Sequence, residues 1–294
     1  MRGGTELDTE SFLKNVYSDF SSSVGKVDRL CFLKDLSFLG SNTPDYSNVM
    51  IQQLYLLRYA PAYISEYEAF YEALIDLEGS PTFLRIFSIG SGSGLDYYGA
   101  YRAIKKKGLP SDTLHYSGID VINWYYRTSL DNHRYHFYNQ DVTRLHSLPD
   151  SLINVLFFPK SISEFSNESF SRLIEVIRNT AFCSEQINVC ASVRRSHLKD
   201  DYKRLVSIVE CLLLRDEYTI HSDHSSQDDN VQGESISYPE HIFKFLSNLR
   251  ANCQAYRRGI CRGERDCDTL NRRPMKDTSY RQYWTIRLVR KGGI

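Results

Sequence analysis

The stretch Phe83-Leu84-Arg85-Ile86-Phe87-Ser88-Ile89-Gly90-Ser91-Gly92-Ser93-Gly94-Leu95-Asp96 decides the fold. Five of its first seven residues are apolar, β-branched or aromatic, and the run leads straight into glycines, which predicts a short buried strand. Residues 95–107 then predict a helix, stopped by Gly108 and Pro110. A glycine-rich turn from strand to helix lies at the carboxyl end of a strand, where open α/β sheets bind ligands. Glycine has no Cβ to hold a ligand away and tolerates positive φ, so the backbone there can approach a nucleotide closely.

The pattern continues downstream. Residues 115–120, 135–138, 153–158 and 186–193 predict four further strands, and residues 170–179 and 202–214 predict helices between or after them. Strands alternating with helices imply right-handed βαβ units and a mainly parallel sheet. The alternation then stops. Residues 217–221 predict a sixth strand, the polar run 222–237 a loop, and residues 240–252 a helix. In residues 282–289, Tyr283, Thr285, Arg287 and Val289 share one face, and Trp284, Ile286 and Leu288 the other. These last two strands suit an antiparallel pair at a sheet edge.

Upstream, residues 1–80 predict helices. Thr9-Glu10-Ser11 precedes Phe12, Leu13, Val16 and Phe20 at helical spacing. A loop at residues 41–45 is followed by Met50, Ile51, Leu54 and Leu57, again with a helical period. Pro61 is expected to interrupt or restart this helix, because it lacks an N–H and crowds the preceding turn. Residues 63–77 would form the next one, ended by Gly79. The expected division is therefore a helical segment, 1–80, and an α/β domain, 81–294, with a polar, Arg- and Cys-rich insertion at about 222–280.

Two acids accompany the glycine loop. Asp120 ends the second strand and can accept hydrogen bonds from two adjacent hydroxyls of a sugar, more strongly than a neutral side chain can. Asp141 follows the third strand and can accept from an amino group. Both also suit helix caps or turns, and the glycines also suit a tight turn that holds no ligand.

Residues 83–96, Gly118-Ile119-Asp120, Gln140-Asp141-Val142 and residues 153–161 together resemble the successive motifs of the class I S-adenosylmethionine (SAM)-dependent methyltransferases. The resemblance covers roughly residues 82–220 and the terminal strand. It implies a Rossmann-like seven-stranded, mainly parallel sheet whose last strand is antiparallel. It further implies SAM as cofactor, with Gly90, Ser91, Gly92 and Gly94 lining its methionine and ribose portion, Asp120 on the ribose, and Asp141 or a backbone neighbour on the adenine. Pro159 would border the same site. Methyl transfer is mainly an alignment of two reactants, which agrees with a cofactor loop that has no evident catalytic dyad beside it.

The chain also departs from two neighbouring patterns. Gly90-x-Gly92-x-Gly94 is not the G-x-G-x-x-G of dinucleotide enzymes, and Gly90 to Asp120 is longer than the spacing typical of their first unit. This weighs against a nicotinamide-dependent oxidoreductase. Phe157-Phe158-Pro159-Lys160-Ser161 is not the Asn/Asp-Pro-Pro-aromatic signature of adenine-N6 methyltransferases. Its place beside the expected transfer point makes Lys160 a candidate to orient an anionic substrate, and Ser161 or Glu164 a candidate to contact a nucleophile; a plain loop is the competing reading. Arg58-Tyr59-Ala60-Pro61-Ala62-Tyr63 offers Arg58, Tyr59 and Tyr63 as lid residues over the cofactor or substrate, against a kinked helix that packs its rings on the sheet.

The 36 basic and 36 acidic side chains cancel overall, but the tail does not. From residue 250 onward there are twelve Lys/Arg and four Asp/Glu. Arg257, Arg258, Arg272 and Arg273, interleaved with tyrosines, suit phosphate contact and base stacking. The methyl acceptor expected on this ground leans to RNA. A small-molecule methyltransferase and a non-catalytic RNA- or protein-binding module stay open, as does a solvated basic face. Cys253, Cys261 and Cys267 lack the paired short spacings of metal knuckles, so no metal is expected. An odd number of cysteines, seven, of which Cys31, Cys183, Cys190 and Cys211 are scattered, and no secretory pattern near residue 1 suggest reduced thiols and a cytoplasmic protein, and no apolar run suggests a membrane span.

Overall fold

The computed structural model describes residues 8–34, 44–79, 81–127, 134–193, 197–215, 217–228, 236–260, 265–276 and 281–292. The chain forms two compact units. One comprises residues 66–123, 128–232 and 279–294; the other comprises residues up to 65, 124–127 and 233–278. The boundary therefore falls at 65/66, inside a helix, rather than at 80/81, and much of the expected insertion groups with the N-terminal helices.

The larger unit is built on a seven-stranded sheet. Its strands are β1 (Leu84–Ile89), β2 (Leu114–Asp120), β3 (Tyr135–Asn139), β4 (Val155–Pro159), β5 (Gln186–Ser192), β6 (Tyr218–Asp228) and β7 (Arg281–Arg290), in the order β3-β2-β1-β4-β5-β7-β6. β1 to β5 pair in parallel, whereas β7 runs antiparallel to both of its neighbours, β5 and β6. This is the Rossmann-like α/β sheet, with its last strand reversed, that the resemblance implies. Register aligns the carboxyl ends: Ile89 lies opposite Ile119, Asp120 opposite Asn139, and Pro159 opposite Ser192.

Side chains alternate across a strand, and β4 shows which helices cover each face. Leu156 and Phe158 join the apolar core with Leu173, Ile177, Leu205 and Leu212, which lie on α4 (Asn167–Asn179) and α5 (Leu198–Leu213). Phe157 points the other way and stacks on Phe70 at 4.7 Å, with Tyr67 at 5.7 Å. Both belong to the later part of α2 (Val49–Glu78). α3 (Leu95–Lys106) packs on that part as well: a Cβ added at Gly99 would stand 2.5 Å from Tyr67 Cβ and 2.8 Å from the Glu68 backbone nitrogen. Only glycine permits so close a helix crossing.

β6 is longer than its composition predicts. The polar run expected to be a loop from residue 222 continues as strand to Asp228, paired with β7 down to Arg281. Ser, Gln and Asp are poor strand formers, but β7 offers a complete edge, and its ladder imposes the conformation. A register shift between Ile220 and Ser222 accommodates the extra residue. Residues 229–235 of the expected loop, like 41–43 of the earlier one, lie outside the described residues.

In the smaller unit, α1 (Thr9–Lys26) is capped by Asp8, whose carboxylate accepts from the Glu10 and Ser11 amides, and it buries Leu13, Val16, Phe20 and Val24. Pro61 does not break the second helix. α2 runs unbroken for 30 residues through it. The proline leaves the Leu57 carbonyl without its helical donor, and the Tyr238 hydroxyl donates to that oxygen at 2.8 Å. The neighbouring Arg58 carbonyl accepts from the Met275 amide at 2.8 Å. Segment 236–276, which includes α6 (Glu240–Ser247), thus supplies the donor that Pro61 denies Leu57. Among the described residues, no helix is long and apolar enough to cross a membrane.

Candidate functional site

The loop after β1 has the backbone its glycines foretell. Gly90, Gly92 and Gly94 all have positive φ, at 70°, 57° and 79°. The Gly90 and Ser91 amides both donate to the Ile119 carbonyl, at 2.9 and 3.2 Å, and the Gly94 amide closes the turn onto the Ser91 carbonyl. Gly90 faces a second constraint. A Cβ there would lie 2.5 Å from Ser161 Cβ and 3.0 Å from its Oγ. Ser161 is buried, and its hydroxyl donates to the Ile89 carbonyl. The segment after β4 is therefore locked against the glycine loop.

Asp120 is the other anchor. One carboxylate oxygen accepts from the Gly92 amide at 2.8 Å and the other from the Ile122 amide at 2.8 Å. The acid at the end of β2 is thereby held beside the loop at the end of β1. Gly118, two residues earlier, serves the same junction: a Cβ there would meet Ser91 Oγ at 2.7 Å. Asp141 caps a short turn, accepting from the Thr143 amide at 3.0 Å and the Thr143 hydroxyl at 2.7 Å, with Arg144 at 3.5 Å. The cap reading of this residue thus has a geometric basis. Pro159 is the partly buried last residue of β4.

Lys160 follows in left-handed backbone, φ 57°, the one non-glycine residue with positive φ among those described. That geometry costs an ordinary residue about 1–2 kcal/mol. It is held by the Lys160 amide, which donates to the Ser192 carbonyl at 2.9 Å. The buried Lys160 ammonium lies 2.6 Å from Glu66 Oε1, which also accepts from the Ser192 hydroxyl. Glu66 is 1% exposed, and its Oε2 has no hydrogen-bond partner among the described residues. Sequence reasoning missed Glu66, because nothing local marks one acid on a long helix; only the fold brings it to the carboxyl ends of β4 and β5. Glu164 sits in a short 3-10 turn and is exposed.

A second buried acid lies under the loop's helix. Asp96, in the first turn of α3, takes the Tyr116 hydroxyl at 2.9 and 3.0 Å on its two oxygens. Burial raises its carboxyl from 3.8 to about 6, and hydrogen bonds offset only part of that rise.

The remaining substrate candidates belong to the smaller unit. Tyr59 and Tyr63 stack at 5.9 Å on α2. Arg257 donates to the Ala251 carbonyl and to Asn252 Oδ1, and Arg258 donates to Gln254 Oε1 and lies 3.5 Å from Asp28. All four arginines, 257, 258, 272 and 273, are exposed. Cys253 is buried, its thiol 3.5 Å from the Asp28 carbonyl, and Cys267 is buried too. Cys261 lies outside the described residues, among which no cluster of three metal-ligating side chains occurs.

No protein-family model and no curated protein sequence matches this chain. Solved structures resemble it at low identity. The plantazolicin methyltransferase BpumL, in complex with a monoazolic desmethylPZN analog and SAH, is 14% identical with a TM-score of 0.42, over 93% of this chain and 98% of that one. The magnesium protoporphyrin IX methyltransferase ChlM from Synechocystis PCC 6803, with bound SAM, is 9% identical with a TM-score of 0.37, over 98% and 99%. The [4+2]-cyclase SpnF is 15% identical with a TM-score of 0.40, over 76% and 80%.

Proposed function

We propose that this protein is a SAM-dependent methyltransferase. The observation that carries the reading is the 2.8 Å hydrogen bond from the Gly92 amide to Asp120, which joins a positive-φ glycine loop and an acid at the carboxyl ends of adjacent strands. Such a junction suits a ligand with a sugar between two polar ends. The backbone of residues 90–94 would hold the methionine and ribose portion. Asp120 would accept from the ribose hydroxyls, and Asp141 or a backbone neighbour from the adenine amino group, with Pro159 at the border. Bound SAM supplies an electrophilic methyl on sulfur.

The chain's own residues align the acceptor. The Ser161–Ile89 bond fixes the segment after β4 against the glycine loop, so Lys160 has one defined position there. Glu66 spends one oxygen on Lys160 and Ser192 and keeps Oε2 to accept from an N–H or O–H nucleophile. Holding both reactants in register is worth several kcal/mol of the barrier. Lys160 and Ser161 therefore act as organisers of the site more than as direct substrate contacts. The test is equilibrium binding of SAM and of NAD to the purified chain: saturable one-to-one SAM binding with no NAD binding is expected, and the reverse would replace the reading with an oxidoreductase.

RNA as the acceptor is a second reading, favoured by the exposure of Arg257, Arg258, Arg272 and Arg273. Three of the four already donate to neighbours in their own unit, which reduces what they can offer a phosphate backbone. Tyr59 and Tyr63 point instead to a compact aromatic ligand.

A further inference from the structure

The smaller unit carries a row of rings beside a buried cation that has no carboxylate partner among the described residues. Tyr55, Tyr59 and Tyr63 recur every four residues on α2 and so form one stripe. Tyr55 and Tyr59 are 5.6 Å apart, and Tyr59 and Tyr63 are 5.9 Å apart with their planes within 20°. All three rings are half-buried. The Trp124 indole packs 5.5 Å from Tyr55, and its buried Nε1 has no acceptor among the described residues.

Arg58 stands beside Tyr59 and is 2% exposed. Its Nη2 donates to the Leu270 carbonyl at 2.9 Å and the Thr269 carbonyl at 3.4 Å, while its buried Nε has no partner among the described residues. Three side chains act on it electrostatically, the hydroxyls of Tyr59 and Tyr238 and a second cation, Arg272; among the described residues no carboxylate does. Burial pulls the guanidinium down to about 10, and Arg272 adds to the fall. Arg272 is exposed and hydrogen-bonds the Tyr59 side chain. Two neighbouring guanidiniums, one buried with no counter-ion among the described residues, are costly unless an anion joins them.

We infer that this surface binds a flat aromatic molecule carrying a carboxylate, with its ring against Tyr59 and Tyr63 and its carboxylate between Arg58 and Arg272. Offset stacking on tyrosine rewards a planar ring, and guanidinium matches a carboxylate geometrically. A phosphate dianion fits less well, because the one fully buried Arg58 donor without a partner among the described residues is Nε, and the further phosphate oxygens would need partners. The site lies within one unit and stands independently of the methyl-transfer reading.

The test uses the full-length chain labelled with 15N. The chain has two tryptophans, so the Trp124 indole cross-peak is assigned by its loss in Trp124→Phe. Titration with 2-naphthoate should shift that peak saturably. The neutral 2-naphthamide should bind at least fivefold more weakly. Arg272→Gln, a change at an exposed residue, should bring acid and amide to within twofold of each other. No saturable shift, equal affinities for acid and amide in the wild type, or uridine 5′-monophosphate binding as tightly as naphthoate would each overturn the proposal.

Discussion

Replacing Gly90 with alanine tests the junction between the cofactor loop and the segment after β4. Two costs are expected. Alanine at φ 70° is held in the left-handed region, at about 1–2 kcal/mol. The new Cβ also lands 2.5 Å from Ser161 Cβ, more than 1 Å inside ordinary contact. Ser161 is buried and pinned to Ile89, so relief requires β1 and β4 to separate, an overpacking cost of about 1–3 kcal/mol. Gly90→Ala should therefore destabilise by roughly 2–5 kcal/mol. Ser161→Gly removes the clashing atoms at the cost of one hydrogen bond, about 1 kcal/mol. In the double variant the backbone strain remains but the clash is gone. Urea unfolding of the four proteins should show a favourable coupling of about 1–3 kcal/mol. Additivity within about 0.5 kcal/mol would refute the close approach.

Other outcomes follow from single contacts. Asp96 has a folded pKa of about 6, above the 3.8 of the free group, so its stabilising contribution is complete below about pH 4 and is lost as pH rises through 6. The stability of Asp96→Asn minus that of the wild type should therefore rise between pH 4 and pH 7, by up to about 3 kcal/mol, in denaturant titrations; a flat difference would contradict the burial argument. Tyr238→Phe strands the Leu57 carbonyl that Pro61 leaves open and should destabilise by about 1–3 kcal/mol, whereas the same change made together with Pro61→Ala should cost less. If RNA is gripped by Arg257, Arg258, Arg272 and Arg273, log affinity must fall steeply with log salt, and each arginine lost as a phosphate contact should flatten the slope by about 0.7–0.9. Failure of single-stranded RNA to bind at low salt would end that reading.

What the sequence made legible was local. The glycine loop, its strand and helix, and Asp120 announced themselves, because strand period, glycine and a terminal acid lie within some forty residues of one another. The reversed last strand was visible in the clean alternation of Trp284, Ile286 and Leu288 against Thr285 and Arg287. What escaped depended on distant partners. α2 survives Pro61 only because a tyrosine hydroxyl 181 residues away donates to Leu57. Residues 222–228 look like loop and become strand because β7 supplies a ladder. Glu66 reads as one more helical acid until the fold places it on Lys160. Gly99 and Gly118 matter through close approaches that no pattern along the chain displays.

The central claim is that the loop at residues 90–94 and Asp120 form one cofactor site, and calorimetric titration of SAM into wild type and Asp120→Ala tests it most directly. Asp120 accepts two amides in the structure, and with SAM bound it would accept from the ribose as well. Charge-assisted bonds of this kind contribute roughly 1.5–3 kcal/mol, so the variant, with its fold checked by thermal unfolding, should bind SAM about 10- to 150-fold more weakly. Equal affinity in the two proteins, or no SAM binding by the wild type, would contradict the account.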